Sequence, residues 1–97
     1  MLVEVIKKGD VVSLRLSTGE ELVGMLSVDE LDSNGFVEIE KPMIIGRTPD
    51  GGFGLMPFMI TTNSTKTTLT KTHIMAMLKT SDDIAKTYTQ QVSDIIT

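Results

Sequence analysis

The segment Thr18–Leu26 constrains the fold of this chain most, because two glycines there interrupt an alternating apolar pattern at fixed places. Gly19 lies between two runs of alternating polar and apolar side chains, where a tight hairpin turn requires a positive φ angle. Gly24 lies inside the second run, and a glycine within a strand is typical of a bend or of close approach by another backbone. The pattern therefore predicts an early hairpin whose second strand curves, as a small β-barrel requires.

Length and cysteine content define the class of protein. The chain has 97 residues and no cysteine, which predicts a single domain held by its hydrophobic core and not by disulfides. No stretch approaches the ~20 apolar residues of a membrane span, and Lys7 and Lys8 come too early for a secretory signal. We therefore expect a cytoplasmic protein that does not contact a membrane.

The charge is unevenly distributed along the chain. The net charge is −4, but residues 1–40 carry three basic against nine acidic side chains, whereas residues 41–80 carry five basic against one acidic. An acidic protein is a poor nonspecific ligand for nucleic acids, although a local basic surface remains compatible with this composition. The asymmetry also fits a simpler interpretation, in which acidic and basic strands pair within or between subunits.

Period-two alternation and turn residues predict five or six short strands. In the third of them, Val37 and Ile39 face the core, and Pro42 then weakens the ladder because proline has no N–H. The last strand is expected to be buried. The predicted strands are Val11–Leu16, Glu20–Val28, Phe36–Glu40 with its resumption at Met43–Ile45, Phe53–Ile60, part of the threonine-rich run Thr61–Thr72, and Ile74–Leu78.

The pattern changes from strand to helix at Ser81. Ser81 can cap a helix, and Asp82 and Asp83 suit the positive end of its dipole. Apolar residues then follow at helical spacing, which predicts an amphipathic helix of about four turns. These apolar positions are Ile84, Tyr88, Val92, Ile95 and Ile96. We expect one all-β domain over residues 1–80, with a C-terminal helix over 81–97 that packs on it.

Several short motifs resemble the Sm and Sm-like (LSm) family. The block Gly19-x4-Gly24-x-Leu26, with Asn34 ten positions beyond Gly24, is similar to the first motif of that family. Four further motifs resemble the Sm-like proteins of some tailed phages. These are Thr-Gly-Glu-Glu-Leu at 18–22, Lys-Pro at 41–42, Gly-Leu-Met-Pro-Phe at 54–58 and Lys-Thr-His-Ile at 71–74.

The resemblance implies a fold, an assembly and a ligand. Sm-like subunits are small, strongly bent, five-stranded antiparallel barrels that close into homo-oligomeric rings, here of five to seven copies, through edge-strand pairing. Such rings bind single-stranded RNA through two loops on the pore side. By this resemblance the first loop is Asp29–Asn34, with Asn34 as the base contact. The second is Lys71-Thr72-His73, and a phage-encoded protein would act in the host cytoplasm.

Each of these candidate RNA-binding residues also has a structural interpretation. Asn34 precedes Gly35, and Asn-Gly is a common turn. Lys71 can keep an exposed edge strand soluble, and His73 can play a purely structural part. The family's usual stacking residue is absent from the first loop, and in the second loop His73 is the side chain that can stack on a base.

Enzymatic signatures are weak throughout the chain. His73 is the only histidine and has no cysteine or second histidine to complete a metal site, nor a nucleophile beside it. The glycine-rich stretch at 51–54 lacks the lysine and hydroxyl residue of a phosphate-binding loop. We therefore expect no catalytic residues, no metal and no cofactor.

Two functional hypotheses remain from the sequence. The first is an Sm-like ring that binds single-stranded RNA through Asn34, Lys71, Thr72 and His73. The second is a structural or adaptor ring that binds a protein through the C-terminal helix or through the apolar segment Phe53–Ile60.

Overall fold

The chain forms a mainly antiparallel β-sheet followed by one C-terminal helix. The computed structural model describes residues 6–27 and 35–96. A 3-10 turn at Lys71–His73 joins the last two strands. The regular elements are β1 Val11–Leu16, β2 Glu21–Leu26, β3 Phe36–Arg47, β4 Phe53–Pro57, β5 Lys66–Thr70, β6 Ile74–Lys79 and α1 Asp82–Ile96.

The sheet has six strands, in the order β4-β3-β2-β1-β6, with β5 also paired to β3. The long strand β3 holds β5 along its first half and β4 along its second half, and β2 lies on its other side. The expected mainly-β fold with a C-terminal helix is confirmed. The strand count is six and not five, because residues 58–65 separate β4 from β5. Within the described residues no pairing closes the sheet into a barrel.

The predicted hairpin joins β1 to β2. Gly19 has a φ of 104°, as the turn requires, and its N–H donates to the carbonyl of Leu16 at 2.9 Å. Arg15 spans the turn, because its guanidinium donates to the Gly19 carbonyl at 2.9 Å and to the Glu21 carboxylate at 3.0 Å. These bonds set the β1–β2 register, which places Leu14 opposite Leu22 in the core.

A β-bulge bends β3 directly opposite Gly24. Val23 pairs with Met43 and Met25 pairs with Glu40, so two residues of β3 face one residue of β2. One of the two is Lys41, with a φ of +49°, and the other is Pro42. The bulge divides β3 into the half that holds β5 and the half that holds β4, and so gives the sheet its curvature.

Two apolar clusters lie on opposite faces of the curved sheet. The inner cluster is the main core, built from the alternating residues that the sequence pattern predicts. Its buried members are Val12, Leu14, Leu16, Leu22, Leu26, Val37 and Ile39. The outer cluster contains Val23, Met43 and Leu55, and α1 covers it.

Helix α1 is attached by its apolar face. It begins after Ser81, whose carbonyl accepts the N–H of Ala85 at 2.9 Å. Tyr88 is buried against the outer cluster, with Ile84 and Val92 half-buried beside it. The helices of the described residues are too short or too polar to cross a membrane.

The expectation that the last strand is buried is wrong. Ile74–Leu78 was expected to be buried, but Met75 is 71% exposed and Leu78 is 63% exposed. The reason is topological, because β6 ends the sheet and has β1 as its one partner strand in the described residues. In the threonine-rich run, only Lys66–Thr70 is strand.

Candidate nucleic-acid interface

The predicted second loop forms the 3-10 turn between β5 and β6. Thr72 and His73 are exposed and Lys71 is half-buried. Ile74 donates its N–H to the carbonyl of Lys71, which closes the turn. Three of the four residues expected to bind RNA thus lie together on the surface, at the point where the chain crosses from one end of the sheet to the other.

The same turn lies next to the end of the predicted first loop. The N–H of Lys71 donates to the carbonyl of Gly35 at 2.8 Å, and the next pair in the ladder is Phe36 with Thr70. Asn34, together with the rest of the loop Asp29–Asn34, lies outside the described residues. Gly35, the residue that follows the predicted first loop, is bonded to Lys71 of the second.

His73 is anchored to the first hairpin. Its Nδ1 lies 3.2 Å from the hydroxyl of Ser17, and its carbonyl accepts the N–H of Ser17 at 2.8 Å. The tautomer decides which of the two side-chain atoms donates. These contacts hold the imidazole at the surface without burying it, so one edge of the ring remains accessible to a ligand.

Phe36 is an exposed aromatic residue beside the turn. It is 48% exposed, and it lies opposite Thr70, one residue before Lys71. Directly opposite residues of an antiparallel pair have side chains on the same face, with Cβ atoms about 5 Å apart. The ring thus supplies a flat apolar surface of the kind on which bases stack.

The sequence analysis missed Phe36 as a functional residue, although the signal was present. Val37 and Ile39 face the core, so period-two alternation places Phe36 on the opposite face. Phe36 follows the first loop and lies in a predicted strand, whereas the family resemblance places the RNA contacts in the two loops. Only the β3–β5 pairing places the ring next to Lys71.

The electrostatics around this corner favour an anion at Lys71. Lys66, at the far end of β5, lies 3.8 Å from the Glu38 carboxylate, which partly neutralises it. Lys71 is absent from the ion pairs found among the described residues. Its ammonium group, the threonine hydroxyls and the Phe36 ring together can contact phosphate, sugar and base of a single strand.

Exposed apolar side chains lie at each of the two ends of the sheet. At one end, β4 and the connector after it expose Met56, Met59 and Ile60, the last of them 83% exposed. At the other end, β6 exposes Met75 and Leu78. Exposed apolar side chains concentrated in this way mark sites of protein contact.

An open groove lies beside the connector. It has a volume of about 440 Å³, and Pro42, Pro57, Met59, Ile60 and Val92 form its apolar part. Thr65 also lines the groove. Its carbonyl accepts the N–H of Lys41 at 2.5 Å, which bonds this part of the groove to the bulge in β3. The groove thus joins the connector to the C-terminal half of α1.

Neither a protein-family model nor a curated protein matches this chain. Within residues 6–27 and 35–96, no group of three histidine or acidic side chains is arranged as a metal site. The candidate interface therefore consists of the turn Lys71–His73, the adjoining Gly35 and the exposed ring of Phe36.

Proposed function

We propose that this chain is an Sm-like subunit that assembles head to tail into a ring and binds single-stranded RNA at the corner formed by Phe36 and Lys71–His73. The observation that carries the proposal is the 2.8 Å bond from the Lys71 N–H to the Gly35 carbonyl. This bond joins Lys71, in the second loop by the family resemblance, to the residue that directly follows the first. The exposed Phe36 beside it supplies a further aromatic ring on which a base can stack.

Ring assembly is supported by the two free ends of the sheet. Strand β6 lies at one end, and β4 and β5 lie at the other, so a β6 edge can pair with the opposite end of another copy. Such a contact is heterologous, and heterologous contacts close into rings when the rotation between copies allows it. A ring places several weak nucleotide sites side by side, which raises the overall affinity through effective concentration.

The test is a fluorescence anisotropy titration of labelled oligo-U, oligo-A and mixed-sequence RNA at low and moderate salt. Phe36→Leu keeps an apolar side chain but removes the ring, and stacking is worth about 1–3 kcal/mol per base, so we expect at least a several-fold loss of affinity. Lys71→Ala should weaken binding to all three RNAs and reduce its salt dependence.

Lys86→Ala is the matched control, because Lys86 is an exposed lysine on α1, away from the turn. Its affinity should equal that of the unmodified protein. RNA binding that is undetectable at low salt would refute the proposed ligand. An equal loss in the Lys71 and Lys86 variants would show that binding depends on net charge and not on this corner.

One observation favours a second candidate function, an adaptor ring that binds protein. Met59 and Ile60 expose apolar side chains next to the groove that α1 borders. This surface suits an apolar peptide better than RNA. The Ile60→Ser variant separates the two functions, because it should leave RNA affinity unchanged and weaken only a protein contact.

A further inference from the structure

The backbone of β4 presents outward hydrogen-bonding groups at the free edge of the sheet. The N–H of Phe58 donates to the Pro42 carbonyl at 3.1 Å, which fixes the phase of the β3–β4 ladder. Bonded pairs recur at every second residue, so the pair Ile45 and Leu55 is a non-bonded one. The N–H and C=O of Leu55 therefore point away from β3, towards the free edge.

A side chain of α1 occupies that edge. The Nε2 of Gln91 donates to the Leu55 carbonyl at 3.0 Å. Gln91 lies three residues after the buried Tyr88, and therefore on the same side of the helix. The amide of Gln91 thus takes the acceptor that the N–H of an added strand would need. Pro57, the next outward position, has no N–H to offer.

The edge of β5 is open by contrast. The bond from the Lys71 N–H to the Gly35 carbonyl fixes the phase there, so Thr68 and Thr70 lie in non-bonded pairs and point outward. No described residue bonds to the outward amides of Thr68 and Thr70. The carbonyl of Lys66, at the start of the strand, already accepts the hydroxyl of Ser64 at 3.1 Å.

The complementary edge is β6. The N–H of Thr80 donates to the Val11 carbonyl at 3.0 Å, so Met77 and Lys79 direct their backbone groups outward. Leu78 beside them is largely exposed. Among the described residues, this edge therefore offers backbone donors and acceptors that have no partner, flanked by an apolar side chain that gains from burial.

We propose that Gln91 blocks strand pairing at the β4 edge. The β6 edge of a second copy then pairs with Thr68–Thr70 of β5. This inference rests on the proposed self-assembly, which supplies the second copy. The contact between Gln91 and Leu55, however, lies within the single chain. Natural sheets block edges that would otherwise pair without control. Here a glutamine from the C-terminal helix blocks one half of a divided edge and leaves the other half open.

Hydrogen exchange measured by NMR at low and high protein concentration tests which edge is used. Assembly should slow exchange of the Thr68 and Thr70 amides and leave that of the Leu55 amide unchanged. The reverse pattern, protection of Leu55 without protection of Thr68, would overturn the proposal.

The blocking role of Gln91 is tested by the variant Gln91→Leu. Gln90→Leu is the matched control, since Gln90 is the exposed neighbour of Gln91. A hydrogen bond is worth about 0.5–1.5 kcal/mol, so removing the donor should increase concentration-dependent protection of Leu55 by about 2- to 10-fold. Native mass spectrometry should also show additional, larger species. Gln91→Arg retains a donor and should restore the original behaviour, and circular dichroism verifies the helix in each variant.

The two proposals fail in different ways. If the unmodified protein stays monomeric at every concentration, the ring is refuted. The blocking role of Gln91 is not refuted by that result, because the Gln91→Leu variant should still self-associate through β4. Identical assembly masses and identical Leu55 exchange in the Gln91→Leu and Gln90→Leu variants refute the blocking role of Gln91, whether or not a ring forms.

Discussion

At the scale of single residues, Gly24 and Tyr88 both contact the bulge in β3. Gly24 faces the bulge, where a Cβ would come within 2.3 Å of the Ile39 Cγ2 and 3.3 Å of the Glu40 carbonyl. Beside the bulge, the Tyr88 hydroxyl lies within hydrogen-bonding distance of the carbonyls of Glu40 and Lys41, at 3.1 and 3.0 Å. The bend of the sheet and the docking of α1 therefore depend on the same few atoms.

Gly24→Ala should destabilise the protein. The added methyl group overlaps the buried Ile39 side chain, and overpacking of this kind typically costs about 1–3 kcal/mol. Gly46→Ala is the control, because Gly46 also lies in a strand but has no atom within 4 Å of its ideal Cβ. Urea denaturation measures both free energies of unfolding, and equal losses in the two variants would contradict the steric explanation.

Tyr88→Phe should also destabilise the protein, while leaving the packing nearly unchanged. The ring remains in the outer cluster, but two carbonyls lose their shared donor, at a cost of about 1–3 kcal/mol. The free energy of unfolding from urea denaturation measures this loss. A variant as stable as the original would show that water replaces the hydroxyl at no cost.

At the scale of elements, α1 is a cover for the outer face of the sheet. It shields the cluster of Val23, Met43 and Leu55, and it reaches the β4 edge through Gln91. Tyr88, which is 1% exposed, is the centre of this contact. Burial, followed by the nearby Glu40 carboxylate, raises the pKa of Tyr88 from 10.0 to about 12.

This pKa shift predicts that docking of α1 depends on pH at the alkaline end. The folded protein favours the neutral phenol, so the stabilisation is fully present below pH 10 and is lost as the pH rises towards 12. Because Tyr88 is the only tyrosine and the chain has no tryptophan, ultraviolet difference absorbance reports its ionisation directly. A midpoint near pH 10 in the folded protein would mean that the ring is not buried.

At the scale of the whole molecule, the open sheet leaves apolar side chains at both of its ends. Met56, Met59 and Ile60 lie at one end, and Met75 and Leu78 at the other. None of these contributes to the inner cluster, so we expect their substitution to affect association more than the stability of the monomer.

Met75→Lys should therefore weaken self-association and leave the monomer fold intact. A charge buried at a subunit contact costs far more than one in water. Thr87→Lys, which adds the same charge on the exposed face of α1, is the control. Sedimentation velocity measures the assembly state, and circular dichroism measures the fold. Unchanged assembly in the Met75 variant would exclude this face of β6 from the interface.

Local signals in the sequence accounted for much of the fold. Gly19 predicted the hairpin turn, because the positive φ it adopts is a local backbone property. Ser81 and the spacing of Ile84, Tyr88 and Val92 predicted the helix and its buried face for the same reason. The exposure of Met75 and Leu78 could not be predicted, because an apolar strand at a sheet end has the same sequence pattern as a central one.

For the candidate site, the sequence determined the residue types, and the tertiary structure decided their arrangement. The chain order alone places Lys71, Thr72 and His73 together, since they are consecutive. The contact between Lys71 and Gly35 and the position of Phe36 beside it depend on pairing between strands 30 residues or more apart. The same holds for Gly24, whose local signal predicted a bend. The tertiary structure decides which backbone Gly24 faces, and it decides that Tyr88 binds the carbonyls of Glu40 and Lys41. Both depend on long-range register, which no local pattern encodes.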